Sequence, residues 1–380
     1  MKIAYVTKHY APFRGGVETH VEEIAVRMAA KGHVVEVLTQ ASDHCSPPVE
    51  LIDGVVVRRF PPVSASRHYA FAPGLWSYLA REGGRYDVVH AHSYHALPAL
   101  GAAILSRQPL VFTPHYHGTG HSRLRGFLHT PYRRLGAVIF ARSRSVICVS
   151  QAESALVQRH FPRVSGRVTV IPNGVDSAAL RMAEPFATDR TTILSVGRLE
   201  SYKNVDRIIA TLARLPDDFV LCIVGEGPDQ LRLAALTARL RLQGRVRFLG
   251  RVDMPTLQRW FRTATVYVSM SSREAFGISL VEALAAGAGV VAADIPAYRE
   301  IVAGIASGAA LVPLDAPPAT LASTIRDVAA RRGASHEAPL PDIASWDDVA
   351  ERTGILYQEV VARGARGLAG GARVSGRRAG

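Results

Sequence analysis

Apolar residues in this chain fall into short continuous runs, separated by stretches in which they recur at helical spacing. Lys2–Thr7 reads as a strand, Arg14-Gly15-Gly16 as a glycine turn, and Val17, Val21, Ile24, Ala25 and Met28 as one face of a helix. Gly32 ends that helix and Val34–Thr39 reads as the next strand. Strand, turn, helix and strand in this order make a βαβ unit, which implies parallel strands joined by a crossover helix. Further strands are expected at Val55–Phe60, Asp87–His90, Leu110–Thr113, Ser145–Val149 and Val168–Ile171. Asp176 to Arg190, with Pro185, loses the pattern and reads as a linker. The alternation then restarts, with strands expected at Thr192–Val196, Phe219–Val224, Val246–Leu249, Val266–Ser269, Val290–Ala293 and Ala310–Val312. Two such series predict an α/β protein of two doubly wound parallel-sheet domains, residues 1–180 and 187–340. A last helix is expected at about 345–362, and the Gly/Arg-rich stretch 364–380 reads as a disordered tail. Ligands of such sheets bind beyond the carboxyl ends of the strands. With the two domains facing one cleft, functional residues are expected in loops just after strands in both halves.

A chain of 380 residues is too long for one core and comfortable for two domains. Cys45, Cys148 and Cys222 lie far apart and form no Cys-x-x-Cys pair, so a disulfide framework is not expected. The apolar run at the start is too short for a signal peptide, and the weakly polar stretch 276–293 carries Glu282 and three glycines, which argues against a membrane span. A cytoplasmic protein is expected. The formal charge of +13 is uneven: residues 1–180 hold 20 Lys/Arg against 11 Asp/Glu. The first half is therefore the one expected to meet an anionic partner or surface. In 122–144, six arginines are mixed with apolar residues, which reads as an amphipathic helix packed on its own domain or as a contact with anionic membrane at its inner face. No recognition-helix or aromatic strand motif supports nucleic-acid binding. The oligomeric state is left open.

The strongest chemical signal is Ser271-Ser272-Arg273-Glu274-Ala275-Phe276-Gly277-Ile278-Ser279-Leu280-Val281-Glu282. It follows an expected strand and opens a helix, so backbone N–H groups near Gly277–Leu280 suit a phosphate. Glu274 and Glu282 are carboxylates able to accept from sugar or ribose diols. In Gly197-Arg198-Leu199-Glu200-Ser201-Tyr202-Lys203, Arg198 and Lys203 bracket a turn after another strand, and two cations there suit a departing diphosphate. Gly15-Gly16 permits close backbone approach to a ligand. Val224-Gly225-Glu226-Gly227-Pro228 lacks the third glycine of a dinucleotide fingerprint.

Taken in order with Thr113-Pro114-His115, Val149-Ser150, Ile171-Pro172-Asn173-Gly174-Val175-Asp176, Lys203-Asn204 and Glu274-x7-Glu282, these pieces resemble retaining glycosyltransferases of family 4, which have the GT-B fold. The resemblance spans residues 2 to about 300, and the last helix matches one that crosses back to the first domain. It implies a Rossmann-like acceptor-side domain, a second nucleotide-sugar-binding one, and transfer of a hexosyl group from a UDP- or GDP-sugar to a lipid-linked saccharide, polysaccharide precursor or small metabolite. It implies that Arg198 and Lys203 neutralise the leaving diphosphate and that Glu274 binds the sugar, helped by backbone N–H groups of Phe276, Gly277 and Ile278. Glu282 would hold the ribose, Gly16 would let its loop close on the donor, and His115 would lie by the anomeric centre. Gly15, Gly197 and Ser279 complete the expected donor site. No protein nucleophile is implied. An epimerase or hydrolase on the same fold is the alternative. One departure stands out: Gly289 occupies the place of a family proline, and no glycine pair precedes Glu300.

His90, His92 and His95 follow one strand, and His115, His117 and His121 another. A zinc site can be drawn from them, but no acidic or Cys ligand joins. Strand-end loops, with acceptor recognition as one use, are the simpler account. No Asp-x-Asp pair occurs, so a metal-bound diphosphate is not supported, and no metal and no cofactor are expected.

Overall fold

A computed structural model describes residues 1–41, 46–63, 71–118, 135–303, 305, 308–334 and 343–375, with side chains excluded at 332–334 and from 365 onward. Cys45, His121 and the arginines of 122–134 lie outside the described residues. The chain forms two compact units, Met1–Asn173 with Trp346–Gly380, and Gly174–Ser345. The boundary thus falls at Asn173/Gly174 rather than at 180. The expected linker contains a short helix, Ser177–Met182, capped by the Asp176 side chain accepting from Ala179 N–H at 2.9 Å.

The first unit contains β1 (Lys2–Val6), α1 (Gly16–Ala30), β2 (Val34–Gln40), β3 (Val49–Ile52), β4 (Val55–Phe60), α2 (Pro73–Glu82), β5 (Val88–His92), α3 (Leu97–Leu105), β6 (Leu110–Thr113), β7 (Ser145–Cys148), α4 (Gln151–His160) and β8 (Val168–Val170). Its sheet order is β3-β4-β2-β1-β5-β6-β7-β8. All pairings are parallel except β3 with β4, an edge hairpin whose two turn residues, Asp53 and Gly54, have φ of 47° and 80°. Positive φ at both central positions matches the sheet's twist, and Asp-Gly is a preferred pair for it.

The second unit contains α5 (Ser177–Met182), β9 (Thr191–Val196), α6 (Val205–Leu212), β10 (Phe219–Val224), α7 (Gln230–Arg239), β11 (Val246–Gly250), α8 (Met254–Thr263), β12 (Val266–Ser269), α9 (Ile278–Ala285), β13 (Gly289–Ala293), α10 (Pro296–Val302), β14 (Ala309–Val312) and α11 (Pro318–Ala334). The sheet is parallel throughout, in the order β11-β10-β9-β12-β13-β14. Its central strands are buried along their length, as in Phe219–Val224, because helices cover both faces.

The last helix, α12 (Trp346–Ser375), belongs to the first unit. It docks by Tyr357, whose hydroxyl reaches His90 Nδ1 at 2.5 Å and Tyr5 at 3.2 Å, all buried. It continues well into the stretch expected to be irregular, because extending a docked helix adds one hydrogen bond per residue without a new nucleation cost. Residues 376–380 lie outside the described residues.

In each sheet the chain reverses its direction of growth once. In the first unit this happens between β1 and β5, in the second between β9 and β12. Flanking crossovers run to opposite faces there, leaving a crevice at the carboxyl ends of that strand pair.

Candidate functional site

The two strongest sequence signals lie at this crevice in the second unit. The loop after β9 carries Gly197 to Asn204 and the loop after β12 carries Met270 to Gly277, and β9 and β12 are neighbours. Asn204 adopts a left-handed conformation (φ 50°) and its amide donates to Met270 O at 2.8 Å. Ser272 N–H donates to Tyr202 O at 2.9 Å. The loops are therefore cross-tied by one side-chain-to-backbone bond and one backbone bond.

Those ties bring Lys203 Nζ to 2.6 Å from Glu274 Oε1, both side chains being 18% exposed. Burial alone would lower the Lys203 pKa, but the Glu274 carboxylate beside it, with Tyr202, raises it above the ordinary range. The Tyr298 hydroxyl donates to the same Glu274 oxygen at 3.4 Å and meets Ser269 Oγ at 2.7 Å. Burial and then Glu274 push the Tyr298 pKa far up, so it stays a donor. Tyr202 is flanked by two cations, Lys203 Nζ 5.4 Å from its ring centre and Arg273 Cζ 4.8 Å. Burial lowers the Arg273 pKa. Arg273 and Tyr202 lie within the motifs without having been singled out, and nothing in the motifs marked Tyr298.

Arg198 is not brought into the Lys203–Glu274 pair. Its side chain is 55% exposed and pairs with Glu200 at 2.8 Å. It does share a neighbourhood with them, since Lys203, Glu274, Glu200 and Arg198 all act electrostatically on the Tyr202 hydroxyl. An exposed pair of this kind is weak and exchangeable.

Gly277, with φ 114°, precedes α9, and Leu280 and Val281 N–H donate to its carbonyl. The N–H groups of Ile278 and Ser279 come before that first intrahelical bond, as expected at a helix start. A Cβ on Gly277 would lie 2.6 Å from Tyr298 Cε1. Phe276 packs on the core, and Glu282 is partly buried near Tyr267.

The weaker glycine motif has a structural explanation. Gly225 (φ 126°) and Gly227 lie where a Cβ would collide with the carbonyl oxygens of Gly197 and Leu199. Those backbones are joined by Gly197 N–H to Val224 O and Leu199 N–H to Glu226 O, each at 3.0 Å. These glycines let the loop after β10 press the loop after β9 into place. Gly225→Ala is expected to cost at least ~3 kcal/mol, from strain and collision together. Urea unfolding checks this; a midpoint equal to that of the unmodified chain would refute it. Gly289 is likewise explained: a Cβ there would meet Val328 Cγ1 at 2.6 Å, so the residue in the family proline's place serves packing on α11.

In the first unit Gly15 (φ −174°) precedes α1, and Gly16 begins it with nothing within 4 Å of where a Cβ would be. His115, just beyond β6, has φ 47°. The next residue, Tyr116, donates its N–H to the buried carboxyl of Glu153. The other Glu153 oxygen accepts from Val149 N–H at 2.7 Å, and Glu153 N–H donates to Ser150 Oγ at 2.9 Å. Ser150 and Glu153 thus form the cap of α4 and at the same time hold the His115 loop.

The histidines regroup relative to their sequence order. His90 is a satisfied core residue, bonded to Tyr357 and to Thr113 Oγ1 at 2.8 Å. His95 and His117 have ring centres 5.8 Å apart. His92 and His115 instead converge with His20 of α1, with ring centres 5.1 Å apart for His20–His115, 5.4 Å for His20–His92 and 5.8 Å for His92–His115. His20 Nδ1 lies 2.7 Å from Asn173 Oδ1, which gives the Ile-Pro-Asn-Gly segment a role that its sequence did not show.

Comparison with known proteins agrees with this architecture. Residues 14–179 match the model for "Glycosyltransferase Family 4" and residues 176–335 that for "Glycosyl transferases group 1". The chain is 34% identical to a phosphatidyl-myo-inositol mannosyltransferase of Mycolicibacterium smegmatis, over 83% of this chain and 81% of the relative. It is 29% identical to a glycogen synthase of Mycobacterium tuberculosis, over 94% of each. Among solved structures, sucrose-phosphate synthase of Thermosynechococcus elongatus superposes with a TM-score of 0.80 at 20% identity, covering 96% of this chain and all of the other. HepE of Anabaena in complex with UDP and glucose gives 0.74 at 20% identity, covering 94% and 99%.

Proposed function

Because the chain belongs to glycosyltransferase family 4 and is a nucleotide-sugar glycosyltransferase of GT-B fold, we propose that it moves a hexosyl group from a UDP- or GDP-sugar to an acceptor hydroxyl with retention of anomeric configuration. The observation that carries this reading is the Lys203–Glu274 pair at the switch point between β9 and β12. The pair suits an exchange of partners. An arriving diphosphate takes the Lys203 ammonium, and the freed Glu274 oxygen accepts from hydroxyls of the transferred sugar. Each charge leaves one partner for another, so little desolvation is added.

Arg198 swings from Glu200 to the second phosphate, and the N–H groups at the start of α9, from Phe276 to Ser279, complete the anion site. The fixed cations stabilise the departing diphosphate, so this half of the reaction needs no metal ion. Glu282 holds the ribose. Gly15, Gly16 and Gly197 leave room for the donor, and His115 meets the hexose. The leaving phosphate helps take the acceptor proton on the face it departs from; no side chain is assigned as nucleophile.

The acceptor is a lipid-linked saccharide, a polysaccharide precursor or a small metabolite. Relatives named for phosphatidyl-myo-inositol and for glycogen favour a lipid-borne or a polysaccharide acceptor. Among the described residues no helix is long and apolar enough to cross a membrane. We place the reaction in the cytoplasm, with the basic first unit drawn to anionic lipid at the membrane surface.

A thermal-shift panel of UDP, GDP, ADP and dTDP tests the donor class, because a ligand that binds only the folded chain raises Tm. UDP or GDP is expected to give the largest rise, retained in EDTA. Equal small shifts for all four would defeat the reading. Gly16→Val is expected to leave Tm unchanged and lower kcat/KM at least tenfold, because the protein itself leaves that space open. Wild-type turnover in this variant would remove Gly16 from the site.

A further inference from the structure

A groove of about 730 Å³ lies in the second unit between α6, α7 and residues 315–318, which lead from β14 into α11. Its volume falls within the roughly 300–1,000 Å³ of small-molecule sites. None of the residues that line it belongs to the loops after β9 and β12, so it is separate from the Lys203–Glu274 site.

The lining changes in character along α7. Arg232 and Arg239 are seven residues apart, two turns on one face of the helix and about 10 Å along its axis. Leu236 lies between them, and Ala210 of α6 and Leu321 of α11 add apolar surface. At the first end the charge is spent within the protein, since Arg232 pairs with Asp206 at 3.3 Å and with Asp229 at 2.9 Å. At the second end Arg239 is exposed and enters no ion pair among the described residues.

Beside Arg232, two buried polar atoms of adjacent residues lack hydrogen bonds. Asp206 Oδ1 accepts from nothing, while its other oxygen is taken by Arg232. Arg207 Nε donates to nothing, although Arg207 Nη2 is fixed on Ala316 O at 2.5 Å. Such atoms are costly to leave unpaired, and a ligand edge with a donor next to an acceptor satisfies both. Adenine and cytosine have that edge, an amine beside a ring nitrogen without hydrogen, and proteins read bases by it. The larger purine suits the apolar middle of the groove. One unpaired guanidinium two turns away matches one phosphate, which arginine grips through two parallel N–H groups.

We propose that this groove binds an adenine nucleoside monophosphate, with its phosphate on Arg239, its base over Leu236 and Leu321, and its amine and N1 on Asp206 Oδ1 and Arg207 Nε. The contacts are noncovalent, and the ligand leaves unchanged.

Isothermal titration calorimetry of the full chain with AMP tests this. One AMP is expected to bind in the groove of the unmodified chain and equally in Lys203→Met, whose diphosphate site is impaired. Arg239→Glu should weaken that binding at least tenfold. Arg214→Glu makes the same change of charge at an exposed position outside the groove and should bind as the unmodified chain does. Adenosine, which lacks the phosphate, and purine riboside 5′-monophosphate, which lacks only the amine, should each bind at least tenfold more weakly than AMP. Absence of AMP binding, or binding lost in Lys203→Met and kept in Arg239→Glu, would overturn the proposal. So would equal weakening by Arg239→Glu and Arg214→Glu, or purine riboside 5′-monophosphate binding as tightly as AMP. Both charge variants lie at exposed positions, so folding is spared. No donor sugar or turnover enters the measurement, so it stands or falls apart from the sugar-transfer reading.

Discussion

Glu274→Gln is expected to lower kcat about a thousandfold and to leave the chain folded. The amide keeps the size of the carboxylate but loses its charge toward Lys203 Nζ, 2.6 Å away, and toward the Tyr298 hydroxyl. Removing one fixed group that stabilises developing charge commonly costs 10²–10³ in kcat, roughly 3–4 kcal/mol. Stability should fall by about 2 kcal/mol, because the Lys203 side chain, only 18% exposed, is left without its counter-charge. Lys203→Met should act differently, raising the donor KM as well as lowering kcat, since in the proposed reaction the ammonium meets the diphosphate before and during its departure. The double variant Lys203→Met/Glu274→Gln should be less impaired than the product of the two single losses, because each single change strands the other partner. Steady-state kinetics with saturating acceptor, alongside urea unfolding, measure all three. A Glu274→Gln enzyme with kcat within about threefold of the unmodified one would remove this pair from the chemistry.

How much of this was legible in the sequence depends on which atoms the pattern constrains. Parallel strands buried on both faces appear as unbroken apolar runs, so Phe219–Val224 and Val266–Ser269 could be placed to the residue. β3 escaped because it is an antiparallel edge strand, Val-Glu-Leu-Ile, whose side chains alternate between exposed and half-buried. The Asp53-Gly54 pair was the available signal. Lys203 and Glu274 could be placed in loops that follow strands, whereas the adjacency of β9 and β12 that brings them together appears only in the sheet order. Arg198 could be placed only as far as its loop, since nothing in a sequence says which way an exposed side chain points, and it points to Glu200. His20 was hidden for a different reason. It lies on the buried stripe of α1 beside Val21 and Ile24, where one polar residue reads as a gap in the pattern. Its partners arrive from residues 92, 115 and 173, and no local rule connects them.

Glu153 shows how a capping residue can set a distant loop, and its replacement should have the second largest effect. Glu153→Ala leaves the N–H groups of Tyr116 and Val149 buried without their carboxyl acceptor, an expected cost of about 3 kcal/mol or more. It also frees the segment that keeps His115 at φ 47°, a conformation a non-glycine residue holds only when its surroundings enforce it. With His115 in the hexose-facing role proposed above, its displacement by about an ångström is expected to cost roughly a hundredfold in kcat/KM. The pH dependence separates this from a generic loss of packing. Burial pushes the Glu153 carboxyl up to about 8, against the opposing pull of the two N–H donors. That value lies above the ~4.3 of an unfolded glutamate, so the protonated acid is the form that favours folding. Its contribution is complete below about pH 4 and is lost as the pH rises through 8, at no more than ~1.4 kcal/mol per pH unit. The unmodified chain should therefore lose stability from pH 6 to pH 9. Glu153→Gln, which cannot ionise, should begin less stable, with one N–H set against its amide NH₂, and show a flatter profile over the same range. Urea midpoints across that range decide the point: parallel profiles for the two chains would mean that Glu153 is already ionised throughout, and that its hold on the His115 loop does not weaken with pH.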